Sequence, residues 1–218
     1  MSDTGGFANA FGSSQFPGKN NISRVMGNAF GWENWNRAEL ALSIGNRNRV
    51  DSMISMACGN TNFPSVPSSV YVNTSFYLGA SNSGTGVGCF VGGNNNSASG
   101  SYCFVYGGSN SVSGTASAAF GIGHVSPANY TTSFGYYANN TRYGEFAHGA
   151  FSFLSVGDAQ HGWLVMFNQT SSTTPTTLYL NGTAATQNVT MSAGARWGVT
   201  VDITAATTGA INKSARFG

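Results

Sequence analysis

The sequence predicts an all-β protein: a narrow parallel β-solenoid wound in fourteen-residue coils, followed by a small C-terminal β domain. Three observations carry this. Nine glycines (Gly31, Gly45, Gly59, Gly79, Gly93, Gly107, Gly121, Gly135 and Gly149) stand fourteen residues apart, with one interval of twenty. Each follows a short run in which bulky and small side chains alternate, the period-two mark of a strand. Beyond Gly157 the period stops, and β-like runs separated by Asn, Gly, Thr, Ser and Pro take over. In a chain with 30 glycines a few such spacings arise by chance, but nine in one register do not.

Residues 1–21 are polar and Gly-rich and read as an N-terminal anchor or flexible segment. The coils occupy 22–153, and the six surplus residues of the long interval fall at 62–67, where Pro64 and Pro67 signal a loop. Three residues after successive glycines come Asn34, Asn48, Asn62, Asn82, Asn96 and Asn110, before His124 and Ala138 end the run. Asparagine tolerates left-handed backbone and bonds its own main chain, so the column predicts a repeated turn. Stacked copies can also join amide to amide as a ladder. Residues 154–218 form the C-terminal β domain, with runs at 162–167, 176–180, 188–191 and 196–203, and with 214–218 reading as the start of another strand.

Fourteen residues suffice for two short strands and two tight turns. A coil that thin has room inside only for small side chains, so Ala29, Ser43, Ala57, Val91, Val105, Ala119, Ser133 and Ala147 are expected to face inward. The bulky columns then face out: Leu42, Ile44, Met56, Phe76, Leu78, Phe90, Phe104, Phe120, Phe134 and Phe146. A continuous exposed apolar stripe is a liability on a monomer. It is expected to be the seam of a symmetric oligomer, with atypical segments capping the stack.

Stretches such as Ala118-Ala119-Phe120-Gly121 and Thr132-Ser133-Phe134-Gly135, with Asn-x-Ala/Val-x-Gly steps from Asn96 to Gly100 and Asn110 to Gly114, carry a family resemblance. Segment 22–153 resembles the head repeat of YadA-type trimeric adhesins, a left-handed parallel β-roll. The resemblance implies a homotrimer with a rod-like spacer or adhesive role. Phe, Tyr and Cys stand here where that family prefers Val and Ile. The block opening Gly157-Asp158-Ala159-Gln160 and containing Leu178-Tyr179-Leu180-Asn181-Gly182 is similar to C-terminal domains of bacteriophage tail fibre and related virion fibre proteins.

Composition narrows the function. Nine Lys/Arg against seven Asp/Glu leave a net charge of +2. Only 7% of residues are charged, against roughly 25% in ordinary domains. Nine scattered cations cannot form a phosphate-binding patch, so a nucleic-acid binder is excluded. With 41% apolar and 13% aromatic residues the chain can bury a core. It has no apolar run near the roughly 20 residues that span a bilayer, so no membrane insertion is expected, and the polar start shows no secretory signal. The three cysteines, Cys58, Cys89 and Cys103, imply packing and no disulfide framework.

No catalytic set stands out. Glu33 and Glu39 fall at turn-like positions, Glu145 and Asp158 straddle the end of the coils, and no Gly-x-Ser-x-Gly elbow occurs. The protein is therefore expected not to be an enzyme and to hold no cofactor. His124, His148 and His161 lack metal-ligand spacing. His148, in the outward column with Glu145 nearby in sequence, is the one weak candidate for an axial ligand between three copies. Candidate receptor contacts are Trp163, Tyr179 and Trp197, with Tyr136 and Tyr137 at the last turns. Trp32 and Trp35, with Arg24, Arg37, Arg47 and Arg49, form the densest aromatic-basic region, either a cap over the first coil or a virion docking surface.

The expected function is that of a structural virion fibre subunit. A phage tail fibre would be a trimeric rod presenting a receptor-binding tip, made in the host cytoplasm and acting in the virion. Its expected partners are itself, other tail or capsid proteins, and a host surface glycan or protein receptor. A head fibre or capsid decoration protein would share the rod, a cell-surface trimeric adhesin would need export segments, and a tailspike depolymerase would need an acidic pair.

Overall fold

The computed structural model describes residues 9–11, 22–23, 27–36, 40–51, 54–64, 74–167, 178–180, 200–207 and 210–217. These residues are β-structured with no helix, and the chain divides into two compact units, Met1–Gln187 and Asn188–Gly218.

The first unit is a parallel β-solenoid. Each coil contributes a longer and then a two-residue strand: β1 (Asn9–Phe11) and β2 (Ile22–Ser23), β3 (Asn28–Trp32) and β4 (Trp35–Asn36), β5 (Leu42–Asn46) and β6 (Arg49–Val50), β7 (Met56–Asn60) and β8 (Phe63–Pro64). The series continues with β9 (Phe76–Ala80) and β10 (Ser83–Gly84), β11 (Phe90–Asn94) and β12 (Ser97–Ala98), β13 (Phe104–Gly108) and β14 (Ser111–Val112), β15 (Ala118–Ile122) and β16 (Val125–Ser126). It ends with β17 (Thr132–Tyr136), β18 (Phe146–Phe151) and β19 (Ala159–Trp163). The odd strands with β18 and β19 make one 11-stranded sheet, and the short strands make two narrow ones, β2-β4-β6 and β16-β14-β12-β10-β8. Nine strands from β3 to β18, at ~4.8 Å per step, give a stack on the order of 40 Å long.

The glycine column sets the register. Gly31 pairs with Gly45, Gly45 with Gly59 and, across the twenty-residue interval, Gly59 with Gly79. The reason is steric. Gly107 sits at φ +126°, and a Cβ there would come under 3.0 Å from the carbonyl oxygen of Gly121 in the next coil. Two further corners per coil are left-handed: Arg47, Thr61, Ser81, Asn95 and Ser109 at φ 55–59°, and Leu40, Ile54, Tyr102, Ala116 and Tyr130 at φ 51–59°. The left-handed residue at the first corner is the one before each column asparagine. The expectation that asparagine itself supplies that conformation is therefore corrected: its amide bonds explain the column, as described below.

The small column faces inward as expected, with Ala29, Ser43, Ala57, Val91, Val105, Ala119, Ser133 and Ala147 all at 0% exposure. One member breaks the size rule. Tyr77 occupies that column and is fully buried. Seven residues on, at the facing inner position, stands Gly84, whose Cβ would collide with the Tyr77 hydroxyl. Tyr77 thus trades volume with Gly84 across the coil, where Val91 faces Ala98 and Val105 faces Val112. Close packing demands this, because the coil circumference is fixed while its contents vary.

Asparagine recurs at one inner position near each end of the stack. Asn36 Nδ2 donates to the carbonyls of Asn28 (2.5 Å) and Ala41 (3.1 Å), and Asn140 Nδ2 to those of Thr132 (2.9 Å) and Glu145 (3.2 Å). Between them the same column holds Val50, Ala98, Val112 and Ser126, all buried, with the Ser126 hydroxyl 2.8 Å from that of Ser133. Asn36 Oδ1 and Asn140 Oδ1 are buried without a hydrogen-bond partner, so each amide is satisfied on its donor side only.

Two features extend the sequence reading. β1 pairs in parallel register with β3, Asn9 against Asn28 and Phe11 against Phe30, so stacking begins inside the 1–21 segment. At the other end β19 runs antiparallel to β18, with a register shift between Gly149 and Phe151. The 153/154 boundary suggested by the period falls in the connection between these two strands. Further on, Phe167 and Tyr179 form an isolated antiparallel bridge. In the second unit β20 (Val201–Thr207) and β21 (Ala210–Phe217) form an antiparallel hairpin, so the strand anticipated at 214 starts four residues earlier.

Candidate interaction face

Successive side chains of a strand point to opposite faces. The alternation that buries the small column therefore turns the bulky one outward from the wide sheet. None of the expected seam residues is buried in the single chain: Ile44, Phe76, Phe104 and Phe146 are exposed, and Leu42, Met56, Leu78, Phe90, Phe120 and Phe134 are half-buried. Their rings stack in series. Centroid separations are 4.7 Å for Phe90 with Phe104, 5.2 Å for Phe104 with Phe120, 5.0 Å for Phe120 with Phe134 and 5.4 Å for Phe134 with Phe146. Trp163 on β19 closes the series at 5.0 Å from Phe146. Each such pair contributes about 0.5–1.5 kcal/mol beyond its area, yet the outer ring faces remain open, with Phe104 41% exposed.

The face carries almost no charge. In the three outward columns of the wide sheet, from Asn28 to Ala150, no Asp, Glu, Lys or Arg occurs. The described charges sit elsewhere. Glu33 and Arg47 pair at 2.8 Å along a corner, Arg49 and Asp51 at 2.7 Å, and Arg142 and Glu145 at 3.4 Å near the end of the tube.

Behind this face runs the asparagine ladder, fully buried. Asn48 Nδ2 donates to Asn34 Oδ1 (3.1 Å), to the Ile44 carbonyl (3.0 Å) and to the Gly59 carbonyl (2.9 Å), while Asn48 Oδ1 accepts from Asn62 N (3.0 Å) and Nδ2 (3.1 Å). The pattern holds across the long interval, where Asn82 Nδ2 reaches Asn62 Oδ1 at 3.1 Å and Phe63–Pro64 pairs with Ser83–Gly84, which corrects the placement of the surplus residues at 62–67: Asn62, Phe63 and Pro64 are regular coil positions. The ladder amides are internal, so they are structural and unavailable as ligand contacts.

His124 continues the ladder past its last asparagine, Asn110. Its backbone N donates to Asn110 Oδ1 (2.9 Å), its Nδ1 accepts from Ala138 N (3.0 Å), and its Nε2 lies 3.1 Å from the Phe120 carbonyl. Only the neutral ring protonated at Nε2 satisfies both contacts, which copies an asparagine's acceptor and donor. Burial accordingly holds the His124 imidazole below its usual value, against opposing backbone hydrogen bonds. The folded pKa lies below the unfolded one of about 6.5. The contribution of His124 is thus intact above that value and is lost as pH falls through the folded pKa. We expect unfolding titrations to show a stability decline on acidification below pH ~6.5, and His124→Asn to remove that part of it. An unchanged pH profile in the variant would contradict this assignment.

The other candidates separate. His148 is exposed and pairs across the hairpin with His161, whereas Glu145 is buried inside the tube; the structure does not bring His148 and Glu145 together. Among the described residues no group of three or more His, Cys, Asp or Glu is placed to hold a metal. Burial pushes the Glu145 carboxyl above its usual range, opposed by its bonds to Arg142. Asp158 instead accepts from the backbone N–H groups of Leu154 (2.6 Å), Ser155 (3.0 Å) and Phe153 (3.0 Å), which hold it below the carboxylate range. The two carboxylates thus have unlike engagements.

Trp163 is 55% exposed at the end of the aromatic series, and Tyr179 is half-buried beside its bridge. Trp32 and Trp35 are both exposed but belong to different sheets, and Arg47 and Arg49 beside them are ion-paired. Trp197, Arg24, Arg37 and Glu39 lie outside the described residues. Cys58 is on the outward face, and Cys89 and Cys103 are buried with their thiols on the Gly100 carbonyl, each at 3.2 Å. No described helix is long and apolar enough to cross a membrane. Comparison with protein-family models, with curated proteins and with solved structures finds no match.

Proposed function

We propose that the protein is a structural fibre subunit: a homotrimeric β-solenoid shaft of a bacteriophage-type virion, joined to tail or capsid proteins and presenting a host-attachment tip. One observation carries the reading. The wide sheet keeps a continuous, charge-free aromatic face uncovered in the single chain, and a stack with one such flank is complete only against other copies. The fixed coil period and small/large alternation, which resemble YadA-type head repeats, favour three left-handed stacks around an axis. A shaft of this kind works by geometry: it holds weak adhesive contacts away from the particle and multiplies them by threefold presentation. Trp163 stands on β19, the edge strand beyond the stacked coils, and its exposed ring there suits such a contact, with a surface glycan or protein as receptor.

Native mass spectrometry of the full chain tests the assembly. The expected species is three times the 22.6 kDa chain mass. A monomer persisting at tens of micromolar chain would remove the basis of the proposal. Labelled trimer binding to host cells, competed by unlabelled trimer, tests the attachment role.

A further inference from the structure

A uniform ladder has a weakness as an interface. Its rungs repeat every ~4.8 Å, so two copies can slide by one coil and meet nearly the same side chains. Register between repetitive surfaces is weakly specified unless some unique feature fixes it. One stands at the end of the face. The connection between β18 and β19 carries Phe153 and Leu154 at 77% and 96% exposure. It is nevertheless held in one shape, because the Asp158 carboxylate gathers the three consecutive amides of Phe153, Leu154 and Ser155. It also joins the aromatic face, since the Phe153 ring lies 5.7 Å from Phe151, which lies 6.3 Å from Tyr136.

We propose that this loop is a register clasp, with Phe153 and Leu154 docking on the aromatic face of a second copy of this chain and setting the offset between stacks. The occupant follows from three features. The tip is apolar and its single carboxylate is turned onto its own amides, which matches a wall with no Asp, Glu, Lys or Arg. A second copy alone repeats rungs at the same spacing over the whole stack. The loop is continuous with the face that such a copy would cover. A rigid tip also loses little conformational freedom on docking.

The inference rests on the assembly proposed above, and one experiment separates the two. The wild-type chain and a Phe153→Ser/Leu154→Asp variant are compared by native mass spectrometry and sedimentation. Inter-copy distances are measured from a spin label at Ser113→Cys in a Cys58→Ser background. Far-UV circular dichroism is expected to be unchanged, because both side chains point to solvent in the single chain. Asp158→Ala, which frees the loop without altering its apolar tip, is expected to give a smaller loss. The clasp predicts about 100-fold weaker association of the double variant, or several inter-copy distances where the wild type gives one. An assembled wild type with an equally tight, single-distance double variant overturns the clasp alone. A monomeric wild type overturns the assembly itself.

Discussion

Alanine at Gly107 is expected to cost the fold about 4 kcal/mol or more, and alanine at Gly108, the next residue, less than about 0.5 kcal/mol. The two differ in backbone and in neighbours. Gly107 sits at φ +126°, where a side chain is strained whatever the space, and its Cβ would strike the Gly121 carbonyl. That oxygen belongs to a stacked coil and cannot move without displacing the next one. At Gly108 the nearest atom to a new Cβ is 3.8 Å away, an ordinary contact. Denaturant midpoints of the two variants provide the check. Equal stability would mean that the coils are not stacked carbonyl over glycine.

Asn96→Leu is expected to be next in severity, about 3–5 kcal/mol, although the side chains are similar in size. Asn96 Nδ2 serves Asn82 Oδ1 (3.1 Å), the Gly92 carbonyl (2.9 Å) and the Gly107 carbonyl (3.0 Å), and its Oδ1 accepts from Asn110 N and Nδ2, both at 3.0 Å. Leucine would strand several of these groups in a place water does not reach, at about 1–3 kcal/mol each. The neighbouring Asn95→Gly is the control. Asn95 is exposed at a left-handed corner, and glycine already fills the equivalent corner at Gly123, so a change within about 0.5 kcal/mol is expected. Thermal unfolding of the two single variants tests the contrast. Equal melting temperatures would refute a buried amide ladder.

The period was legible because the glycines have no substitute: from Gly31 to Gly135, φ and carbonyl contact both demand them. The inside-outside assignment was legible for the same reason that a strand alternates. Three things were hidden by chemistry that residue type does not display. Tyr77 is too large for its column, and only the pairing with Gly84 seven residues later explains it. His124 looked like the end of the asparagine run because an imidazole is not an amide, yet its two nitrogens take up the same bonds. The first rung escaped because its signal, Asn9-Ala10-Phe11-Gly12 copied at Asn28-Ala29-Phe30-Gly31, lies nineteen residues from its partner and outside the fourteen-residue spacing. The reversal at β19 follows from a hairpin that the loss of period announced without giving its direction. The outward face was legible residue by residue, because alternation along a strand decides which side chains leave the sheet.

The interval between Gly59 and Gly79 has a further consequence. The six extra residues leave no trace in the bonding, since Asn62 still meets Asn82 at 3.1 Å and Gly59 still faces Gly79. Alignment between neighbouring turns is therefore enforced rung by rung, across twenty residues as across fourteen. A peptide inserted within that interval is thus expected to leave the pairing of Gly59 with Gly79 and of Asn62 with Asn82 in place.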